Sequence, residues 1–355
     1  MLWLVACGGE PIELATATAP TAPIAVAMES GTPACEDCLS AFPATVNGST
    51  RGAASEVDAY DCAPQSNESG PEQHHTLHLD EPGLLWVSLD TVETGADVDV
   101  HLLDGQPDAA CLDRGNTEAM AFVGAGERTI AIDTWMDRSG RDRSGEYTAS
   151  VRFIGVSDYE SAGLSASVFE RALQAYATAR HKGETTRSEL SIVDFAKLSE
   201  HKRFWTVDLA TGELLYSMYT THGEATADPD DFRRALTFSN TSGSHQSSLG
   251  LMRTGEDYYG MWGHSLRLYG LEPHNALARK RLIVLHSHES ATQAFVDEYG
   301  GAGLSWGCLM LDPASIDEVI ATLEEGTLIW SDLAGDEQIT SSQYLPTTAA
   351  STLDE

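Results

Sequence analysis

Alternating apolar and polar residues dominate the chain from Thr45 to Phe153. The runs there are "HTLHLD", "GLLWVSLD", "DVDVHLLD", "RTIAIDTW" and "GEYTASVRF", and Gly, Asp and Asn stand between them. A period of two residues is typical of strands that bury only one face. We therefore predict an N-terminal antiparallel β-sandwich.

The pattern changes after residue 156. Apolar residues recur at helical spacing in "SAGLSASVFERALQAYATARHKG", which predicts an amphipathic helix with Ser161 as its cap and Gly183 just past its end. Strand patterns follow at "LSIVDFA", "FWTVDLATGELLYSMYTTHG" (a hairpin around "ATGE"), "SLGLMRTG", "HSLRLYGL", "KRLIVLHSH" and "GTLIWSDL", with a helix at "DPASIDEVIATLEEG". The predicted fold class is mainly β with a few helices, in which a β-rich domain follows the sandwich.

The overall charge limits the class of partner. The chain has 54 acidic and 21 basic residues and a formal charge of −33. Nucleic acid is excluded as a partner, because binding phosphates needs the opposite sign. Asp97 and Asp99 share a strand face, for which a solvated acidic surface is our interpretation and a calcium site the alternative. We expect no metal or other cofactor.

Four of the six cysteines indicate an oxidising compartment. Cys35 and Cys38 lie in a linker, and Cys62 and Cys111 lie in the strand-rich segment. Each is a candidate for a disulfide, but spacing alone does not give the pairing.

The N-terminal cysteine resembles a lipidation site. "LVAC" (Leu4 to Cys7), followed by Gly8, is similar to a bacterial lipobox, although only six residues precede Cys7. The Ala-, Thr- and Pro-rich stretch that follows is typical of a flexible tether. We expect Cys7 to carry the lipid and to be the only membrane attachment, with a chance match as the alternative.

Four segments are predicted. They are a lipoprotein signal remnant and flexible linker (1–41), a sandwich domain (42–155), a second, β-rich domain (156–345) and a disordered tail (346–355). The sandwich resembles the bacterial pre-peptidase C-terminal type of domain, particularly in "ADVDVHLLDG" and "SGEYTASVRF". This resemblance implies an accessory module without chemistry of its own.

Cys308, in "GLSWGCLML", is the candidate for chemistry. A catalytic cysteine needs a base and donors for an oxyanion. Gly307 allows a tight turn that could aim the Gly307 and Cys308 amides at one oxygen. His286 and His288, in "KRLIVLHSHES", are two residues apart and so share a face if the strand continues. Taken alone, these residues fit an inert thiol and a structural histidine equally well.

The second domain resembles the murein L,D-transpeptidase catalytic domain of the YkuD-like type. The resemblance is carried by "SIVDFAKLSEHKRFWTVDLATGELLY", "THG", "FSNTSGSHQSSLGLMRTGEDYYG", "SLRLYGLEP", "IVLHS" and "LSWGC". It implies a β-rich catalytic fold and cysteine acyl transfer on peptidoglycan stem peptides. In that comparison Cys308 is the nucleophile, His286 rather than His288 is the general base, and Ser305 is the small hydroxyl residue before the cysteine.

Three positions depart from the family pattern. Trp306 stands where histidine is usual, Ser287 stands where glycine is usual, and Leu309 stands where proline is frequent. The nucleophile and the base that the resemblance implies are retained, and the three departures bear on the oxyanion geometry and the substrate subsites.

Substrate contacts are expected beside this site. Candidates are Trp306, His288, the loop residues Ser244, His245 and Ser247, and two cations for stem carboxylates, Arg253 and Arg267. An ordinary polar loop and surface arginines are the alternatives. The expected enzyme is an L,D-transpeptidase, or an L,D-carboxypeptidase if water is the acceptor, in the periplasmic or extracellular cell envelope. A non-catalytic cell-wall-binding lipoprotein is the alternative function.

Overall fold

The first half of the chain is an antiparallel β-sandwich, as its alternation predicts. The computed structural model describes residues 38–107, 109–137 and 139–346. The sandwich strands are β1 (Ala44–Ser49), β2 (Gln73–Leu79), β3 (Gly83–Val92), β4 (Val98–Leu103), β5 (Cys111–Gly115), β6 (Glu118–Val123), β7 (Gly126–Thr134) and β8 (Glu146–Gly155). All five alternating runs form strands, whereas the sequence analysis missed β1, β5 and β6.

Two four-stranded sheets make this sandwich, in the orders β1-β8-β3-β6 and β2-β7-β4-β5. Every pairing in them is antiparallel. The core between the sheets takes every second residue of each strand, for example Val98, Val100 and Leu102 of β4. The alternation that predicts the strands therefore also fixes which face is buried.

The outer face of the second sheet is covered as well. Residues 50–72 run from β1 to β2 without a strand and contain the buried Tyr60, Glu68 and Glu72. A disulfide joins Cys62 of this covering segment to Cys111 at the start of β5. Cys38 is also disulfide-bonded, while Cys7 and Cys35 lie outside the described residues.

The predicted helix is present, but it starts later than expected. Helix α1 (Ala166–His181) has Ser165 at its N-cap, so the prediction of Ser161 as the cap is wrong; residues Glu160–Ala162 form a separate 3-10 turn. The helix packs on β3 and β6, and its buried face joins one core with Leu84 and Met120 of the sandwich. The predicted boundary at residue 155 stays a prediction.

The second half is built on one eight-stranded mixed sheet. Its elements are β9 (Glu189–Asp194), β10 (Phe204–Asp208), β11 (Glu213–Met218), β12 (His222–Gly223), β13 (Gly250–Gly260), β14 (Gly263–Gly270), β15 (Val284–Ser287), α2 (Gln293–Tyr299), β16 (Leu304–Ser305), β17 (Leu309–Leu311), α3 (Ile316–Leu323), β18 (Leu328–Asp332) and α4 (Glu337–Thr340). The sheet order is β11-β10-β9-β18-β13-β14-β15-β17, and β12 pairs separately with β16. The fold class is therefore as predicted, mainly β with few helices.

Two pairs in the large sheet are parallel. β18 lies beside β9, and β17 lies beside β15 at the sheet edge. The second pair positions the candidate site, because it places the end of "GLSWGC" next to the end of "LIVLHS". None of the helices described, in residues 38–346, is long and apolar enough to cross a bilayer.

Candidate active site

Cys308 follows a turn that only glycine can make. Gly307 lies between β16 and β17 with φ +109°, in the left-handed half of backbone space. A Cβ at Gly307 would lie 2.5 Å from the carbonyl oxygen of Gln246 and 2.8 Å from Cδ1 of Ile283. The glycine is therefore required both by the backbone angle and by the close approach of the neighbouring loop.

Strand register brings the cysteine and the histidine to one face. In the parallel pair β15/β17, Leu285 is opposite Leu309 and His286 is opposite Met310. Cys308, one residue before Leu309, comes beside Val284, two residues before His286. Residues two apart on a strand point to the same face, about 6.6 Å apart along the strand. His286 and Cys308 are thus on the same side of the sheet.

The thiol of Cys308 is protonated and held by backbone. Its Sγ lies 3.5 Å from the carbonyl oxygen of Leu282, to which the S–H donates. Burial raises the pKa of Cys308, and the Val284 amide and the Arg281 charge oppose that rise only in part. Cys308 is therefore a neutral thiol at neutral pH.

A hydrogen bond to backbone fixes the tautomer of His286. Its Nδ1 lies 3.0 Å from the carbonyl oxygen of Ser287, and because a carbonyl only accepts, Nδ1 carries the proton. The other nitrogen, Nε2, is then the basic one. Burial lowers the pKa of His286; the charge of His288 lowers it further, and the Ser287 carbonyl raises it. The imidazole is therefore neutral at neutral pH.

In this conformation the two side chains share a face but are not hydrogen-bonded to each other. Among the hydrogen bonds of the described residues, none connects the His286 ring with Cys308, whose thiol points to Leu282 instead.

His288 has a different environment. Its Nδ1 accepts from the Ser290 amide at 3.2 Å and lies 2.9 Å from the Ser290 hydroxyl, so the ring caps the 3-10 turn Glu289–Ala291. Trp262 stacks on His286 and meets His288 edge-on, both at 5.7 Å between ring centroids.

Ser305 organises the turn before Cys308. Its hydroxyl donates to the Cys308 carbonyl at 2.8 Å and accepts from the Gly307 amide at 3.1 Å. The sequence analysis expects the Gly307 amide to face a substrate oxygen, but in the structure this amide donates to the Ser305 hydroxyl instead. The hydroxyl of Thr221, the residue before β12, donates to the same Cys308 carbonyl at 3.2 Å.

The predicted loop residues divide into two groups. Ser247 is buried, where its hydroxyl donates to the Gly307 carbonyl at 3.3 Å and accepts from the Gly223 amide at 3.0 Å. His245 has a left-handed backbone (φ 55°), pairs with Glu224 at 2.7 Å and stacks on Trp306 at 4.5 Å. Ser247 thus braces the turn, while His245 and Trp306 form an aromatic surface; Trp306 is 68% exposed.

Sequence reasoning missed Arg281. Its guanidinium donates to the carbonyls of Ser239 and Gln246, to the Ser248 hydroxyl at 2.9 Å and to the Ser244 hydroxyl at 3.1 Å. Arg281 therefore joins the polar loop to the start of β15 and is the cation beside Cys308. In "ARKRLIVLHS" no pattern distinguishes it from Arg279 or Lys280.

The two predicted substrate cations are engaged elsewhere. Arg253 donates to the Glu184 carbonyl at 3.3 Å and lines a separate cavity of about 490 Å³. Arg267 lies opposite Val284, on the face of His286, but it pairs with Glu256 and lies 4.5 Å over the ring of Tyr258. Trp262, 54% exposed at the tip of the β13–β14 hairpin, is the other site residue that the sequence did not reveal.

Comparison with known proteins supplies the family. Residues 160–331 match the family model YkuD_2, the L,D-transpeptidase catalytic domain. No curated protein sequence matches the chain.

Solved structures with similarity include L,D-transpeptidases from two organisms. The one from Mycobacterium smegmatis has 12% identity over 70% of this chain and 99% of its own, with a TM-score of 0.27. The one from Stackebrandtia nassauensis has 12% identity over 50% of this chain and 75% of its own, with a TM-score of 0.26. The pre-peptidase C-terminal domain of a Bacillus anthracis collagenase has 15% identity over 35% of this chain and 100% of its own, with a TM-score of 0.23.

These structural likenesses are low in identity and in TM-score, so the assignment rests on the family model. The matched segment begins just before α1, contains the whole eight-stranded sheet and ends in β18. The part of this chain from residue 160 to residue 331 belongs to the YkuD_2 family of L,D-transpeptidase catalytic domains.

Proposed function

We propose that this protein is a cysteine acyl transferase that acts on peptidoglycan stem peptides, with Cys308 as nucleophile and His286 as general base. The observation that carries the proposal is the register of β15 and β17, which puts the two residues on one face of an L,D-transpeptidase-type domain. The hydrogen bond from His286 Nδ1 to the Ser287 carbonyl supports it, because it leaves Nε2 as the proton acceptor.

The first step starts from two neutral groups. Rotation of the Cys308 side chain away from the Leu282 carbonyl brings the thiol towards His286 Nε2, which takes its proton as sulfur attacks. The attacked carbonyl belongs to the amide between the L-centre of a diamino acid and the terminal D-alanine. The S–C bond forms, the C–N bond breaks, and D-alanine leaves with the proton from His286.

The second step resolves the thioester. The amino group of a neighbouring stem attacks the carbonyl, gives its proton to His286 and releases the Cys308 thiol as a direct diamino-acid cross-link forms. With water as the acceptor, the same enzyme is an L,D-carboxypeptidase. The Cys308 amide is the proposed oxyanion donor, because the Gly307 amide is bonded to Ser305.

Substrate contacts are proposed at the exposed aromatic residues. Trp306, stacked on His245, and Trp262, stacked on His286, are both exposed and offer flat apolar surfaces. Arg267 lies on the same face and is a candidate for a stem carboxylate if it exchanges its Glu256 partner. Of the loop residues, Ser244 is positioned by Arg281.

An envelope location goes with this activity. The peptidoglycan substrate is outside the cytoplasmic membrane, and the disulfide between Cys62 and Cys111 fits an oxidising compartment. Lipid attachment at Cys7, which lies outside the described residues, remains part of the proposal.

Mass spectrometry with a carbapenem or a tetrapeptide stem tests the function. We expect a covalent adduct in the wild type, mapped to Cys308 and absent in Cys308→Ala. His286→Ala should slow adduct formation strongly, and His288→Ala should retain most of it. Stem binding without an adduct or D-alanine release would instead support the non-catalytic cell-wall-binding lipoprotein.

A further inference from the structure

A buried polar cluster lies in the sandwich, far along the chain from Cys308. It occupies the outer face of the sheet β2-β7-β4-β5, under the covering segment 50–72. Register places Asp99 of β4 opposite Asp133 of β7, and His101 two residues further on the same face. Glu68 reaches the face from the covering segment. All four side chains belong to buried residues.

Negative charge exceeds positive charge in this cluster. Glu68 and Asp99 share the cation Arg114, whose Nη2 lies 2.5 Å from Asp99 and 3.5 Å from Glu68. Within the described residues, Asp133 accepts from the Tyr60 hydroxyl at 2.8 Å and the Thr134 amide at 2.5 Å, both neutral donors, and forms no ion pair. A buried carboxylate without a counter-ion is costly, so the cluster needs a further cation or a bound proton.

Several atoms of the cluster have no partner. His101 is fully buried, and neither its Nδ1 nor its Nε2 has a hydrogen-bond partner among the described residues. The same holds for Oε2 of Glu68. The imidazole stacks on Tyr60 at 3.9 Å, which fixes its plane but satisfies neither nitrogen. Buried polar atoms are nearly always bonded, so these atoms indicate a ligand.

We propose that Glu68, His101 and Asp133 bind a divalent transition-metal cation of the Zn²⁺ type. One nitrogen or oxygen atom from each of the three lies within 4.8 Å of the others. Bonds of about 2.1 Å to a tetrahedral Zn²⁺ put ligand atoms about 3.4 Å apart, so a small inward adjustment completes the set. An imidazole together with carboxylates selects Zn²⁺ rather than Ca²⁺, which takes oxygen ligands.

Two neighbouring groups of possible ligands fit less well. Cys62 and Cys111 also approach His101, but both sulfurs are used in their disulfide. Glu56, Glu72 and His74 form another group, in which Glu56 is exposed and Oε1 of Glu72 already accepts the amides of Glu56 and Val57.

The proposed ion gives the covering segment a further attachment. The Cys62–Cys111 disulfide joins the segment to β5, and the ion would join Glu68 of the same segment to β4 and β7. Three protein ligands leave the fourth position of a tetrahedral Zn²⁺ to a water molecule, and the complete burial of the three residues fits a role in holding the segment on the sheet.

Zn²⁺ binding by the full chain tests the proposal. Metal-free protein with its disulfides intact is dialysed against ZnCl₂, bound metal is measured by mass spectrometry, and the unfolding temperature is followed with and without Zn²⁺. We expect one tightly held ion and a higher unfolding temperature. Glu68→Gln should weaken Zn²⁺ binding by at least about tenfold, as the loss of metal-site contacts does.

His101→Phe is the second variant, because the phenyl ring can stack on Tyr60 without leaving unpartnered nitrogens. Metal-free His101→Phe should be at least as stable as the metal-free wild type, yet should gain no stability from Zn²⁺. His74→Gln is the matched control and should bind as the wild type does. The proposal would be overturned if the wild-type protein held no Zn²⁺, or if Glu68→Gln and His101→Phe bound Zn²⁺ as tightly as the wild type does. Loss of binding only in His74→Gln, or stabilisation by Ca²⁺ alone, would overturn it as well.

Discussion

Replacing Gly307 with alanine tests whether the turn before the nucleophile is as constrained as its geometry indicates. Gly307 has φ +109°, beyond the left-handed helical minimum near about +57° that other residues tolerate. The added methyl would lie 2.5 Å from the Gln246 carbonyl oxygen, a backbone atom that cannot rotate away. Arg281 donates to that same oxygen at 2.5 Å.

The expected cost has two parts. A strained backbone angle costs about 1–3 kcal/mol. Pushing the Gln246 carbonyl away weakens a hydrogen bond from a charged donor, which is worth about 1.5–3 kcal/mol. We therefore expect Gly307→Ala to reduce the free energy of unfolding by about 3–5 kcal/mol. Gly212→Ala is the matched control: Gly212 has φ +76° and no atom within 4 Å of the place where the added methyl would lie, so its cost should be about 1–2 kcal/mol.

Denaturant unfolding of both variants measures these costs, and alkylation of Cys308 by iodoacetamide reports on the site. Gly307→Ala should also change the alkylation rate, because the turn orients Cys308, whereas Gly212→Ala should not. Equal destabilisation in the two variants would refute the argument that the Gln246 contact limits this position. If Gly307→Ala were destabilised but alkylated at the wild-type rate, the turn would not be what positions the thiol of Cys308.

Three further predictions concern charge and covalent linkage. Arg281→Gln removes the cation beside Cys308, so the pKa of the thiol should rise and its alkylation near pH 8 should slow by up to about tenfold, the factor that a rise of one pKa unit produces. Arg281→Lys should recover part of the rate. An alkylation rate with the same pH dependence as in the wild type would contradict this. Because burial lowers the pKa of His286, its neutral, basic form remains populated at mildly acidic pH. The acylation rate should therefore rise with pH and reach half its plateau below about pH 6.5. A midpoint above that pH would argue against His286 as the base. Replacing Cys62 and Cys111 together by serine opens a loop closed over 49 residues and should cost about 4 kcal/mol, measured by denaturant unfolding; a loss under about 1 kcal/mol would show that other contacts hold the covering segment.

Strands with one buried face were predictable from the sequence. In β4, for example, Val98, Val100 and Leu102 enter the sandwich core, and the alternation that places them there is visible in "DVDVHLLD". β6 was missed because "EAMAFV" is apolar at consecutive positions and gives no period of two. β16 and β17 were missed because two or three residues are too few to show any period.

The covering segment 50–72 shows where pattern reasoning fails. The polar residues of β4, Asp99 and His101, have the spacing of a solvent-facing side and were interpreted in that way for Asp99. They are buried because a strandless segment lies over them, and that placement depends on tertiary contacts and on the Cys62–Cys111 disulfide. Periodicity gives the face on which a residue lies, but not what covers that face.

The candidate site divides in a similar way. Cys308 and His286 were accessible to sequence reasoning because glycine before the cysteine and an apolar strand before the histidine are local signals. Arg281 and Trp262 were not, since their roles come from loops that meet only in the folded chain. The sequence prediction took Arg253 and Arg267 as substrate cations, but both have carboxylate neighbours in the fold.

Arg281 couples two requirements that would otherwise be independent. The pKa of Cys308 is raised by burial, and the nearby guanidinium opposes that rise without forming a salt bridge that would have to break during attack. The same guanidinium holds the Gln246 carbonyl against Gly307, the residue whose backbone angle delivers Cys308 to the edge of the sheet. The position of Cys308 and the acidity of its thiol therefore both depend on one side chain. It follows that substitutions in the 239–248 loop should affect the reactivity of Cys308 even where they touch no substrate, because they change how Arg281 is held.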